Sequence, residues 1–365
     1  MRDDVRTPGS PSPSTRSPAD RDDSLLGSPP GSPYDSGHAP RYDTAAPDPG
    51  PDPVASRFTR AARCGELDLP SPGRGATPRR WATLARWGRS DLAFARLAEG
   101  HTDALAILDE GGAVARPGAR YGVWAARSGG TGADLGDGPR HGRRLFGTVR
   151  FCSGAHLLDR ALVVAAGPGG SRIVDVALDD PRVRPVPGTW RSHGMAGSDS
   201  ADVELDGVAV TDDQLLGAPG FYTDRPGFWW GGGGVAAVWL GGAAGVCDDV
   251  TAALRAGRPD AHQLAGLGAV HTAVATADAL LARTARRIDA DPGSPHRDDV
   301  WTARAAAEHL CRTVLDAAPR IAGAATLTRD DRFAARLADL QVYSRQHHGD
   351  RDLAELGRAV LDGDR

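Results

Sequence analysis

The chain has 365 residues, enough for two or three compact units, and 40% of them are hydrophobic against 25% charged. Its formal net charge of −4 comes from 43 basic and 47 acidic residues interspersed along the sequence, so no basic face of the kind that binds a phosphate backbone is expected and nucleic acid is excluded as a partner. Cys64, Cys152, Cys247 and Cys311 share no short C-x-x-C spacing, which argues against both a zinc site and a disulfide scaffold, and no metal is expected.

From Met1 to about Ser56 the sequence is Pro, Ser, Gly, Asp and Arg with few large apolar residues. Such a segment cannot bury enough surface to offset the entropy of ordering, so residues 1–56 are expected to form a disordered tail. Acids and prolines stand where a secretory leader needs a basic start and an apolar core, and the longest apolar stretches are broken by Gly and Asp. A soluble, cytoplasmic protein with no membrane contact is the expectation.

Between Arg79 and Glu110, Trp81, Leu84, Trp87, Leu92, Ala95 and Leu97, then Ala104, Ile107 and Leu108, recur at three- and four-residue spacings. The spacing predicts two amphipathic helices, parted at Gly100-His101 and closed by Gly111-Gly112, in a short helical domain over 57–117. From Tyr121 the period shortens: Leu145–Phe151, Ala161–Ala165, Ile173–Leu178 and Val203–Val210 are β-rich runs with Gly, Pro and Asp between them, predicting a small antiparallel β-domain over 118–218. After Gly234, Ala/Leu/Val-rich segments at 235–255, 261–290, 298–323 and 331–345 predict a four-helix bundle within 219–365. The fold class is therefore α+β: helices, then a β-domain, then a bundle.

Three stretches make this order specific: YGVWAA (Tyr121–Ala126), RFCSGA (Arg150–Ala155) and WRSHGMAGSDSADVELDGVAV (Trp190–Val210). In the third, a Gly-Met-x-x-Ser segment leads into a strand of the form V-x-L-D-x-V-x-V. On these residues the chain resembles the acyl-CoA dehydrogenase superfamily of flavoproteins over about residues 60–361.

The resemblance implies FAD as cofactor, with the RFCSGA segment (Phe151, Cys152, Ser153) against it: Phe151 packing on the isoalloxazine and the Ser153 hydroxyl near N5. Read without the family, the same residues are a strand end and a turn. YGVWAA matches a strand and loop that carry Thr-Glu-Pro in the family; here Trp124-Ala125-Ala126 stands instead, which keeps backbone contacts from Tyr121 and Val123 but loses the Thr hydroxyl. Trp124 is either a flavin neighbour or core. Ser198, in the GMAGSDS turn, either borders the substrate channel or satisfies its own backbone. Arg255 approximates an Arg that reaches the flavin pyrophosphate of a neighbouring subunit, and Ile321–Leu327 keeps one glycine, Gly323, of a loop covering the adenosine half.

The catalytic base departs from the pattern. The family removes a proton α to a thioester carbonyl with a Glu in the last long helix while hydride leaves for the flavin. Counting along RLADLQVYSRQHHGDRDL from Asp339 reaches His347 instead. Some branches carry the base just before the Arg that opens the first bundle helix, which makes Asp224 a candidate base and places Arg225 at the substrate. Alternatively His347, with His348 and His101, serves a flavin-dependent monooxygenase of the same fold; a catalytically silent flavin-binding or partner subunit is the third reading. The resemblance further implies acyl-CoA as substrate, an electron-transfer flavoprotein or other acceptor, and a homodimer or homotetramer built through the bundle.

Overall fold

A computed structural model describes residues 24–27, 53–137 and 142–363. Among the described residues three helices come first: α1 (Val54–Arg63), α2 (Thr77–Ser90) and α3 (Leu92–Glu110). Pro78 stands in the first turn of α2, where its missing N–H costs nothing, and Trp81, Leu84, Ala85 and Gly88 form its buried face. The predicted break at Gly100-His101 does not exist. The chain turns instead at Asp91, whose carboxylate accepts from Phe94 N–H and caps α3, and α3 runs unbroken through both residues.

Eight strands follow: β1 (Tyr121–Trp124), β2 (Gly132–Asp137), β3 (Arg143–Cys152), β4 (Arg160–Gly167), β5 (Gly170–Ala177), β6 (Val183–Val186), β7 (Ala201–Val210) and β8 (Leu215–Leu216). They form one sheet in the order β6-β7-β3-β2-β4-β5-β8, with β1 also on β4. Most pairings are antiparallel as expected, but β1 and β2 lie in turn along the same side of β4, both parallel to it. Alternating residues such as Val203, Leu205 and Val149 face a core shared with Phe58 of α1 and Leu97 of α3.

The helical half holds a short α4 (Phe221–Asp224), then α5 (Gly227–Arg255), α6 (Ala261–Ala290), α7 (Arg297–Arg329), α8 (Asp331–Tyr343) and α9 (Asp350–Gly363). Asp260 and Gln263 form a reciprocal capping box at the start of α6. Gly323, at φ 81° and ψ 166°, breaks the helical path of α7 four residues after Pro319. Helix α5 begins eight residues before the predicted segment because the run Gly231–Gly234 is helical. Added Cβ atoms at Gly231 and Gly233 would run into Asp103 of α3 and Trp81 of α2, one at Gly234 would press on Leu84, and one at Gly232 would just touch Arg304 of α7. Each missing side chain makes room for a neighbour, and that packing outweighs glycine's poor helix propensity.

The expectation of a disordered tail fails at Ser24–Gly27. Leu25 is buried in the bundle core, its N–H donates to Asp278 Oδ1 of α6 at 2.8 Å, and the Ser24 hydroxyl donates to the other oxygen of the same buried carboxylate. A single leucine with a two-pronged polar anchor is enough to hold this short piece. The remainder of the expected tail, apart from 53–56, lies outside the described residues, and α1 starts at Val54 rather than after residue 56. Leu25→Ala is expected to lower unfolding stability by about 2 kcal/mol, the usual cost of emptying a buried leucine site. Urea denaturation of the full chain reads this, and an unchanged midpoint would mean that the segment is not held in solution.

Candidate functional site

A cleft of about 2000 Å³ opens between the sheet and the bundle. Its walls are α3, the ends of β1 and β3, the turn before β7, and helices α5, α7, α8 and α9. The chain carries a net negative charge, yet nine arginines and five carboxylates line this cleft. The lining is thus richer in cations than the chain as a whole, although six of the nine arginines are paired with carboxylates: Arg96, Arg127, Arg150, Arg225, Arg312 and Arg345.

On the sheet side, β3 and β7 slip register between Val149 and Cys152, and the bulge holds Phe151 at φ 60°. A left-handed backbone is costly for an aromatic residue, and strain of this kind gathers at ligand sites. Phe151 is also 55% exposed and lines the cleft. The next residue but one, Ser153, accepts at Oγ from Arg96 Nε (3.2 Å) and from Ser200 Oγ (3.1 Å), which leaves its own proton free for a ligand. Ser198 Oγ lies 2.8 Å from Ser200 Oγ and donates to the Met195 carbonyl at 2.7 Å. The result is a row of hydroxyls beside an exposed ring.

That row is fixed to the bundle. Gly154 N–H and Ala155 N–H donate to the carbonyls of Ser198 and Asp199, and Met195 N–H donates to the Asp339 carboxylate of α8. Met195 and Asp199 are both left-handed, which folds the Ala196–Ser198 turn tightly. Burial raises the Asp339 carboxyl above its ordinary range, while the Met195 amide works against that shift.

The expected site residues divide. Val123, Trp124, Phe151, Ser153, Ser198 and Arg225 all line the cleft. Trp124 is nearly buried and donates from Nε1 to the Ser153 carbonyl at 3.2 Å, so it braces the serine from behind. Arg225 is buried, with Nη1 2.8 Å from Glu110 Oε2. Tyr121 turns into the core, where its N–H donates to His101 Nδ1 at 3.0 Å and its hydroxyl accepts from Arg116 N–H. The Cys152 thiol is buried under the sheet against the Val149 carbonyl, and burial pushes its pKa up, so it is an unreactive core group facing away from the cleft.

Neither expected catalytic group lines the cleft. Asp224 ends the short α4, is exposed, and meets only Thr223 and its own turn. His347 is buried beside the Trp239 ring, its Nδ1 accepts from Gly349 N–H at 3.1 Å, and burial lowers its pKa. His101 is likewise buried, and desolvation lowers its pKa. His348 does reach the cleft rim. Arg255 is exposed at the far end of α5, and within one chain it lines no part of the cleft.

Sequence reading missed the polar floor. Arg96, Glu99 and Asp103 occupy consecutive turns of α3 and all face the cleft, a charged stripe at three- and four-residue spacing in a helix otherwise rich in Ala and Leu. That spacing was the available signal. Glu99 is buried against Arg96, and desolvation raises its carboxyl pKa despite the guanidinium. Tyr222 and Tyr343 close the floor; burial drives both phenols up, that of Tyr222 to about 12, and the Tyr343 hydroxyl lies beside Arg96, which works against its shift.

No protein family and no curated protein matches the sequence. Solved structures do match the fold. TdsC from Paenibacillus sp. A11-2, a dibenzothiophene monooxygenase determined with FMN and indole, aligns at a TM-score of 0.70 and 20% identity, covering 85% of this chain and 95% of that one. KijD3, in complex with FMN and dTDP-3-amino-2,3,6-trideoxy-4-keto-3-methyl-D-glucose, aligns at 0.71 and 17%, covering 84% and 86%. The ChsE4-ChsE5 complex from Mycobacterium tuberculosis aligns at 0.68 and 18%, covering 83% and 87%. The fold is the acyl-CoA dehydrogenase-like arrangement of a β-sheet domain and a helical C-terminal region.

Phe151 yields a prediction in which stability and binding move in opposite directions. Phe151→Gly relieves the left-handed strain and is expected to stabilise the fold by about 1 kcal/mol, while removing the exposed ring from the cleft. Thermal unfolding and ligand titration of the same variant read the two effects; a destabilised variant would show that Phe151 serves packing instead.

Proposed function

We propose that the chain is a flavin-dependent oxidoreductase that binds FMN in the cleft and carries out O2-dependent oxygenation of a small organic substrate. One observation carries the reading: an aromatic ring, Phe151, held exposed at a backbone cost beside a serine whose proton is uncommitted. A flat heteroaromatic cofactor needs an apolar support and a hydrogen-bond donor at its ring edge, and these residues fit it. When bound, the flavin would supply two-electron chemistry and, once reduced by an external two-electron donor such as a nicotinamide-dependent flavin reductase, reactivity toward O2, one oxygen atom going to the substrate and the other to water. The chain's part is to hold it: Phe151 under the ring, Ser153 at the edge, and cleft arginines such as Arg191 and Arg312 for the phosphate.

FMN is preferred to the FAD first implied, because the adenosine-half covering segment Ile321–Leu327 is thin in glycine, keeping only Gly323. The TdsC and KijD3 structures that resemble this fold hold FMN. Oxygenation is preferred to acyl-CoA dehydrogenation because Asp224, the relocated base, faces solvent away from the cleft, and TdsC is a monooxygenase. The acyl-CoA reading keeps one favourable observation, the nine cleft arginines, which suit the phosphates of a coenzyme A carrier; an electron-transfer flavoprotein would then take the electrons.

A homo-oligomer through α6 is part of the proposal. Both α5 and α6 are long and apolar enough to span a membrane, but 67% of the apolar window of α5 is buried within the chain against 22% in α6. An apolar helix face left this open suits a second copy.

Calorimetry with FMN is expected to give saturable binding, and Ser153→Val to weaken it about tenfold through the lost hydrogen bond. Substrate-dependent O2 consumption by the reduced holoprotein would follow; anaerobic bleaching by acyl-CoA would favour dehydrogenation instead, and absence of flavin binding would end both. Leu264→Asp, on the exposed face of α6, is expected to lower the mass measured by light scattering, and a mass unchanged from a wild-type oligomer would move the interface elsewhere.

A further inference from the structure

Across the cleft lining from Phe151, the bundle contributes an aromatic wall. Tyr222 and Phe228 meet edge to face at 5.4 Å, Phe228 and Trp229 at 5.1 Å, and Trp229 and Trp301 at 5.2 Å, and all four line the cleft while only partly buried. The Arg297 guanidinium covers one face of Trp301 at 3.9 Å and lies over Trp229, and Arg225 lies over Tyr222; edge-to-face packing leaves the opposite ring faces for another flat group, and aromatic surface in a concave site gains most from such a partner.

Beside this wall stands Asp103. Its carboxylate is half-buried, lines the cleft, and has no hydrogen bond or ion pair among the described residues. It lies against α5 at Gly231, two residues beyond Trp229, where an added Cβ would come within 2.7 Å of Oδ1. The neighbouring arginines are engaged: Arg96 with Glu99 and Ser153, Arg225 with Glu110, and Arg304 with the Gly232 carbonyl at 2.6 Å. Arg80 attracts Asp103 only through space. A partly desolvated carboxylate without a donor is a costly arrangement, and a ligand N–H or O–H relieves it.

We propose that Asp103 and the wall of Tyr222, Phe228, Trp229 and Trp301 form the substrate subsite, which takes a flat aromatic molecule carrying a hydroxyl or amine that donates to Asp103. This rests on the proposed flavin site, since the same cleft runs from the wall to Phe151 and Ser153. The rings supply affinity and orientation, and the carboxylate supplies selection. A ring bearing only acceptors would leave Asp103 desolvated and unpaired, the kind of mismatch that discriminates strongly between similar ligands. The carboxylate is also placed to hold the donor's proton during turnover, which makes it a candidate for the base that neither Asp224 nor His347 provides.

The test compares 2-naphthol with 2-methoxynaphthalene by calorimetry on the full chain, with and without FMN. The two share a ring system and differ in the donor. The wild type is expected to prefer 2-naphthol about tenfold or more, the range of one hydrogen bond to a charged group. Asp103→Ala is expected to abolish that preference while leaving the affinity for 2-methoxynaphthalene unchanged. Trp301→Leu is expected to weaken both probes alike, and Trp229→Phe to weaken both less. Equal binding of the two probes by the wild type, or a preference that survives Asp103→Ala, would overturn the assignment. Binding of FMN without binding of either naphthalene would overturn the subsite and leave the flavin site standing, whereas naphthalene binding without FMN binding would remove the flavin site alone.

Discussion

The molecule depends on how closely helices can approach α5. Besides the run Gly231–Gly234, Gly241 rests on the Ala85 carbonyl of α2, Gly242 on Leu92, and Gly88 of α2 rests in turn on the Val238 carbonyl of α5. The contacts of Gly241 and Gly88 are with helix backbone, so no rotamer change can accommodate a larger residue at those two positions, while the other glycines make room for side chains. The close approach brings α3 and α7 to α5 at Gly231 and Gly232, which sets Asp103 and Arg304 against the cleft wall. Site and bundle are thereby one packing problem.

Much of the fold was legible because its elements are strongly periodic. The segments 261–290 and 331–345 coincide with α6 and α8 within two residues, since Ala- and Leu-rich faces at 3.6-residue spacing admit few other readings. The errors came where local preference and tertiary packing disagree. Gly100 reads as a breaker but stands inside α3, while the true boundary is a capping aspartate with an unremarkable sequence signature. The glycines of α5 read as loop for the same reason. Helix α9 went unpredicted although Leu353, Val360 and Leu361 recur at nearly helical spacing; all three are exposed, so no buried stripe marks it.

The site was legible to the extent that it rests on contiguous motifs. Phe151, Ser153, Trp124 and Ser198 were found because they lie in short stretches with a recognisable order. The polar floor was not, because Arg96, Glu99 and Asp103 become neighbours of Tyr222 and Tyr343 only through three-dimensional packing. Asp224 failed for a related reason: α4 is a single turn, and its last residue points wherever that turn ends. His347 sits in the expected segment, but the turn after Tyr343 carries it under Trp239, so that His348 reaches the rim instead.

Gly194 has a consequence for geometry at large. Its Cα rests against the Ala338 carbonyl of α8, where even a methyl group would collide with the helix backbone, and the neighbouring Met195 amide is tied to Asp339. The turn before β7 and the bundle therefore touch, at this point, backbone against backbone. A lever pivoting there has a hard stop: the cleft can widen by swinging about the contact, but it cannot narrow through it. The glycine acts as a gauge block for the width of the cleft, and a chain with alanine at 194 would keep every lining side chain while holding the two walls farther apart.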